Sequence, residues 1–173
     1  MVYNGNFLQV RSDKVFLENG CVATREFIEH PGAVCIIAFD EDENLIIVKQ
    51  YRYPMSQVTY ELPAGKIDHD ELAIDCAYRE FEEETGYKAK KMEYIGQLFM
   101  APAYSTEIIH LYVASQLEKS AQRLDDQEFL IVEKVKLDAA LKMIFEDKIP
   151  DVKTQVAIFR YMFLNKKAIS YLE

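Results

Sequence analysis

Few residues that staple or anchor a chain are present. Cysteine occurs three times, at Cys21, Cys35 and Cys76, widely spaced and outside any C-x-x-C pair. That usage argues against a disulfide framework and against a zinc site, and fits a reducing, cytoplasmic setting. Positive charge is also short: 20 Lys and Arg against 29 Asp and Glu leave a formal net charge of −9. This balance works against contact with a phosphate backbone, so nucleic acid is not an expected partner. No apolar stretch approaches the roughly 20 residues a membrane helix needs, and no basic segment followed by an apolar run opens the chain. A soluble, uncleaved protein without a membrane partner is expected. Repeats, low-complexity tracts and dividing linkers are missing too, so the 173 residues, 50% of them hydrophobic, are expected to share one core.

What is present alternates between strand and helix signals. Val15-Phe16-Leu17 and Cys21-Val22-Ala23 flank an Asn19-Gly20 turn, the signature of a hairpin, because both turn residues tolerate positive φ. Two continuous apolar runs, Ala33 to Phe39 and Leu45 to Val48, read as central strands buried on both faces. From Asp70 to Thr85 the composition is helical, and Gly86 stands where a left-handed cap belongs. Strand-like segments return at Met92 to Met100, Ile108 to Ala114 and Phe129 to Val135. Helices are expected near Leu137 to Asp147 and Val152 to Lys166, separated by Pro150. Strands, helix, strands and helices in that order predict an α/β (α+β) fold with helices packed on a mixed sheet.

The helix ends on Arg79-Glu80-Phe81-Glu82-Glu83-Glu84-Thr85-Gly86-Tyr87, with four glutamates in five positions. At about 100° per residue, with Leu72 at the origin, Glu83, Glu80 and Glu84 fall near about 20°, 80° and 120°, and Glu82 near about 280°. Leu72, Ala73, Cys76 and Ala77 lie on the face of the first three, so their carboxylates project from the edge of a packing surface. Like charges about 5–6 Å apart repel by about 3 kcal/mol at an effective dielectric near 20, a cost that a cation removes. Clustered hard oxygens suit Mg²⁺ or Mn²⁺. The alternative is a solvated acidic face paired with Arg79 and Lys88, with Glu82 solvated in either case.

Upstream spacing decides between them. Gly65, five residues, Glu71, seven residues and then Arg79 to Tyr87 fill every fixed position of G-x5-E-x7-R-E-U-x-E-E-x-G-U, where U is a bulky apolar residue. This resembles the Nudix box, with aromatic Phe81 and Tyr87 in place of the usual aliphatics. Nearly the whole chain further resembles the ADP-ribose pyrophosphatase subgroup: TREFIEHPGAV, VKQYRYP, ELPAGKI, DVKTQVAI and a proline 16 residues beyond Gly86, Pro102.

The resemblance implies an α/β/α sandwich over residues 31–173, preceded by an N-terminal antiparallel β extension at 1–30 that takes part in a homodimer. It implies a Mg²⁺- or Mn²⁺-dependent hydrolase of nucleoside diphosphates linked to another moiety, in which a metal-activated water attacks phosphorus. ADP-ribose, split to AMP and ribose 5-phosphate, is the leading substrate; a nucleotide sugar such as GDP-mannose or a diadenosine-type compound is the alternative. A non-catalytic nucleotide sensor is a further alternative, which need not have kept the three glutamates.

Carried over by position, Glu80, Glu83, Glu84 and the Ala64 carbonyl would be metal ligands. Arg79 would orient Glu83, and Gly65 would permit a sharp turn through its free φ. Arg52 would contact the diphosphate or the terminal ribose, and Glu61 the substrate near the box entry. Glu107 would be the general base or a further metal ligand, the base lying either in the helix or on a later loop. Arg25 and Glu26 would reach the adenine from the partner subunit. Surface salt bridges are the alternative for Arg52, Glu107, Arg25 and Glu26. Ala101-Pro102-Ala103-Tyr104-Ser105-Thr106-Glu107 departs from the subgroup's S-P-G-x-[ST]-[DE]-E, with Ala103 in place of the glycine and Thr106 in place of an acidic residue, and Tyr104 there could stack on a base or sugar. His30, His69 and His110 pair with no cysteine or serine in a nucleophile pattern, which disfavours covalent catalysis. His30, before Pro31-Gly32, is expected to serve in turn packing or hydrogen bonding.

Overall fold

The computed structural model describes residues 1–124, 126 and 128–165. In chain order its elements are β1 (Tyr3–Asn4), β2 (Gln9–Phe16), β3 (Val22–Glu29), β4 (Ala33–Ala38), β5 (Asn44–Arg52), β6 (Gln57–Glu61), β7 (Ala64–Lys66), α1 (Ala73–Thr85), β8 (Tyr87–Phe99), β9 (Ile108–Lys119), β10 (Leu130–Lys136), α2 (Leu137–Phe145) and α3 (Val152–Leu164). The strands form a mixed sheet ordered β7-β4-β9-β8 and two antiparallel sheets, β10-β5-β6 and β1-β2-β3. In the mixed sheet β4 and β9 run parallel.

Every residue of β4 is buried, which requires cover on both faces. Val34, Ile36 and Ala38 share a cluster with Cys76, Ala77 and Phe81 of α1. Cys35 and Ile37, turned the other way by the strand's two-residue period, share the second cluster with Ala140, Leu141 and Ile144 of α2 and Ala157, Ile158 and Met162 of α3. Ile46 joins the first cluster while Leu45 and Ile47 join the second. The sandwich is therefore α/β/α, and the two apolar runs are its middle layer.

Several local readings are refined. The β2–β3 turn is a hairpin, but only Gly20, at φ 80°, adopts positive φ. Leu17 N–H donates to Cys21 O and Gly20 N–H to Leu17 O, closing a three-residue loop with glycine last. α1 begins at Ala73, three residues later than expected, because Asp70 sits at φ 63° and Leu72 is an extended N-cap. Leu72 is 67% exposed and does not belong to the packing face. At the other end Gly86 is left-handed as expected, and its N–H donates to Glu82 O. The sequence pattern missed β6 and β7: one has only two buried residues and the other only three residues, too little for a period to register. The final helix ends at Leu164, and Lys166, its expected last residue, lies outside the described residues. Among the described residues no helix is long and apolar enough to cross a membrane.

Candidate active site

The glutamate-rich end of α1 lies against β7. Cys76, Ala77 and Phe81 are buried on this helix, and Glu84, between Cys76 and Ala77 on the helical wheel, is only 3% exposed. It is drawn under by Ala64, whose N–H donates to Glu84 Oε2 at 3.0 Å. Glu80 lies over Gly65: a Cβ added there would stand 1.9 Å from the Glu80 carboxyl carbon. This corrects the expectation that Gly65 supplies a sharp turn. Gly65 is a strand residue opposite Val34, is not among the glycines at positive φ, and leaves the space that a carboxylate fills.

Arg79 sits among the carboxylates. Its Nε and Nη2 donate to Glu71 Oε1 and Oε2, both at 2.8 Å. Nη1 donates to Glu80 at 2.7 Å and to Glu83 at 3.2 Å, and Nη2 reaches Lys66 O at 3.3 Å. The forked contact is therefore with Glu71, a fixed position of the motif for which no role was foreseen, and Glu83 is held more loosely. Hydrogen bonding from Arg79 is the main cause that draws the Glu71 carboxyl down to about 2. Burial pushes Glu80 up despite Arg79. Glu84 is pushed up to about 8, mainly by burial, with the charges of Glu80 and Glu128 adding to it against the Ala64 N–H and Arg52. Carboxylates this costly to ionise are short of positive charge. Among the described residues no three acidic, histidine or cysteine side chains gather closely enough to hold an ion. Arg79 engages two of the three glutamates, and Glu84 is turned to Ala64. In chemistry the donors, hard carboxylate oxygens around the glycine cradle, fit a small divalent cation.

A second polar cluster lies on the Arg52 side. Arg52 Nε and Nη2 donate to Glu61 Oε1 and Oε2, both at 2.7 Å, and Thr59 Oγ1 donates to Glu61 Oε1 at 2.6 Å. Lys153 Nζ donates to Glu61 Oε2 and, at 2.9 Å, to Asp151 Oδ1. Burial pushes the Glu61 carboxyl up, but Arg52, Lys153 and Thr59 together bring it down to about 2. A cleft of about 430 Å³ opens here, lined by Arg52, Met55, Thr59, Glu61, Asp151 and Lys153, among others. Arg52 and Glu61 are brought together as each other's partners. Lys153 and Asp151 were not foreseen, although Asp-x-Lys-Thr before an apolar helical run does signal an N-cap.

The remaining candidates lie elsewhere. Glu107 pairs with His30, Oε1 to Nε2 at 3.9 Å, and among the described residues no hydrogen bond or ion pair joins it to the α1 glutamates. Its loop is pinned to the end of β3: Ile28 N–H donates to Tyr104 O, Thr106 N–H to Ile28 O, and His30 N–H to Thr106 Oγ1 at 2.8 Å. Thr106, a departure from the subgroup's pattern, is thus the pin. His30 accepts from Gly32 N–H at 3.1 Å, the turn bonding expected of it. Tyr104 is 60% exposed. Arg25 and Glu26 are exposed on β3, opposite Asp13 and Ser12.

Glu82 is not merely solvated: Ser120 Oγ and Arg123 Nη2 donate to its Oε1 at 2.7 and 2.9 Å, and Lys88 lies 3.6 Å away. Gln122 and Arg123 also reach the carbonyls of Glu84 and Glu83, tying this loop to the end of α1. Glu128 is a further acid whose charge bears on Glu80 and Glu84. No periodicity marks a loop acid, so only the fold reveals it.

The NUDIX domain family model matches residues 29–154. An ADP-ribose pyrophosphatase of Bacillus subtilis (strain 168) is 37% identical over 159 residues, 91% of this chain and 86% of that protein. A methanol dehydrogenase activator of Bacillus methanolicus is 40% identical with the same coverage. A GDP-mannose pyrophosphatase of Citrobacter koseri is 30% identical over 141 residues, 76% of this chain and 72% of that protein. In fold, the chain is similar to a crystal structure of an ADP compounds hydrolase: TM-score 0.83, 23% identity, with 96% of this chain and 91% of that one covered.

Proposed function

Since the chain belongs to the Nudix family, we propose that it is a divalent-metal-dependent pyrophosphatase acting on nucleoside diphosphates linked to another moiety, with ADP-ribose yielding AMP and ribose 5-phosphate. The observation that carries this reading is the gathering of Glu80 over Gly65 and of buried Glu84 against the Ala64 N–H, at the end of a strand pair whose start carries the Arg52 guanidinium. Arg52 spends two N–H groups on Glu61. Of the five a guanidinium carries, the others remain for phosphate oxygens.

Glu80, Glu83, Glu84 and the Ala64 carbonyl would hold Mg²⁺ or Mn²⁺. When bound, such an ion supplies charge neutralisation at the diphosphate and acidification of water. Arg79, fixed by Glu71, holds Glu80 and Glu83 at the end of the helix. Glu61 aims the Arg52 fork. Proton abstraction would fall to a carboxylate of the helix or of a later loop, Glu107 among them, and in this structure Glu107 pairs with His30.

A panel of ADP-ribose, GDP-mannose and diadenosine compounds with Mg²⁺ tests the substrate. ADP-ribose is expected to have the highest kcat/KM, and a clearly higher value for a nucleotide sugar would replace it. The 40% identical relative supports a second reading, action on a dehydrogenase. In that case the protein would raise the rate of added methanol dehydrogenase in the same buffer while turning over the free compounds poorly.

The N-terminal sheet, taken as an extension at 1–30 before the catalytic domain at 31–173, is proposed to build a homodimer. Exposed Val2, Tyr3, Phe7, Phe16 and Val22 support this. Arg25 and Glu26 on β3, with Tyr104, would then serve the nucleoside of a neighbouring site. Light scattering is expected to give twice the chain mass, and a monomer at working concentration would refute the dimer. Three free cysteines, one of them exposed, favour the reducing cytoplasm.

A further inference from the structure

The first turn of α3 grips the end of β6 and the link from it to the glycine cradle. Asp151 caps the helix by accepting from Thr154 N–H at 2.9 Å. The Thr154 hydroxyl, fully buried, accepts from Leu62 N–H at 2.8 Å. Between these two, Lys153 turns inward: its side chain is 10% exposed and its ammonium bridges Glu61 and Asp151. An ammonium is rarely withdrawn from water to this degree unless its partners are fixed. One of those partners, Glu61, is the carboxylate on which Arg52 is forked.

We propose that Lys153 is a positioning residue for the diphosphate: by sharing Glu61 with Arg52, it keeps the guanidinium oriented and positive toward phosphate. This rests on the hydrolase reading above. The charges explain the direction. Arg52 and Lys153 balance Glu61 and Asp151. Without the ammonium, Arg52 and Glu61 close into a neutral pair beside a surplus Asp151 charge, and the cleft repels an anion. Arginine at 153 would keep the charge and could still reach both carboxylates, whereas methionine fills the volume and carries no charge.

The experiment compares Lys153→Met and Lys153→Arg with the parent chain, on whichever diphosphate the parent turns over best. KM is expected to rise about tenfold in Lys153→Met, the scale on which loss of an outer hydrogen-bonded partner is felt at a site. kcat should hold within about threefold, and Lys153→Arg should return KM to within about threefold of the parent. Calorimetric affinity for ADP reads the same effect without turnover. It also separates two failures: a parent chain inactive on the whole panel defeats the hydrolase reading, while unchanged ADP affinity in Lys153→Met defeats the role of Lys153.

In an Arg52→Gln background, Lys153→Met should add less than about threefold, because residues that act through one another are not additive. Full additivity, or no rescue by arginine, overturns the proposal. Should Lys153→Met not accumulate as folded protein, Lys153→Gln, which keeps an N–H toward Glu61 and loses the charge, carries the same test.

Discussion

Glu83→Gln is expected to lower kcat with ADP-ribose and Mg²⁺ by about a thousandfold while the protein stays folded. Several kcal/mol of transition-state stabilisation depend on a correctly held divalent ion, and each 1.36 kcal/mol is tenfold in rate. The fold should survive because Glu83, 36% exposed, is held by Arg79 at 3.2 Å, more loosely than Glu71 and Glu80. With its charge removed, Arg79 still has the Glu71 fork and Glu80, so no buried cation is orphaned. Thermal unfolding within a few degrees of the parent would accompany the loss, as for a partly exposed ion pair worth about 0–1 kcal/mol. Parent-like turnover in a folded Glu83→Gln protein would remove Glu83 from the metal site.

Gly65→Ala should separate two explanations of that glycine. Were left-handed φ the requirement, alanine would strain the backbone and lower stability. The structure instead gives Gly65 an ordinary strand conformation and puts the Glu80 carboxyl where a Cβ would go, with its oxygens 2.2 and 2.3 Å from that position. The obstructing group is the far end of a flexible side chain, so it can swing aside at little cost to stability. Glu80 is then lost from its place. The variant should fold with near-parental Tm and lose about 10–100-fold in activity, the range seen when the surroundings of a metal ligand are disturbed. A large drop in Tm would restore the backbone explanation.

Both predictions concern the stretch most legible in the sequence. Spacing of Gly65, Glu71, Arg79, Glu80, Glu83 and Glu84 points to the family through its resemblance to a known motif, and for Glu80, Glu83 and Glu84 a helical period converts spacing into a shared face. The same holds for β4 and the start of β5, whose unbroken apolar runs announce cover on two sides. Positions carried over singly fare less evenly. Arg52 and Glu61 lie together, whereas Glu107 is drawn to His30 by a loop whose course depends on Thr106 and the end of β3.

The sequence by itself therefore determined the class of fold and the carboxylate face, written in local periods of two and 3.6 residues, and pointed to the family by resemblance to a known motif. Tertiary structure decided what those groups are tied to. Arg79 is forked on Glu71, Glu82 is bound by Ser120 and Arg123, Gly65 makes room for Glu80, and Lys153 shares Glu61 with Arg52. Glu61 and Lys153 are 92 residues apart in the chain. Such contacts arise where separate elements pack, and no local pattern of apolar and polar residues encodes which distant charge will meet which.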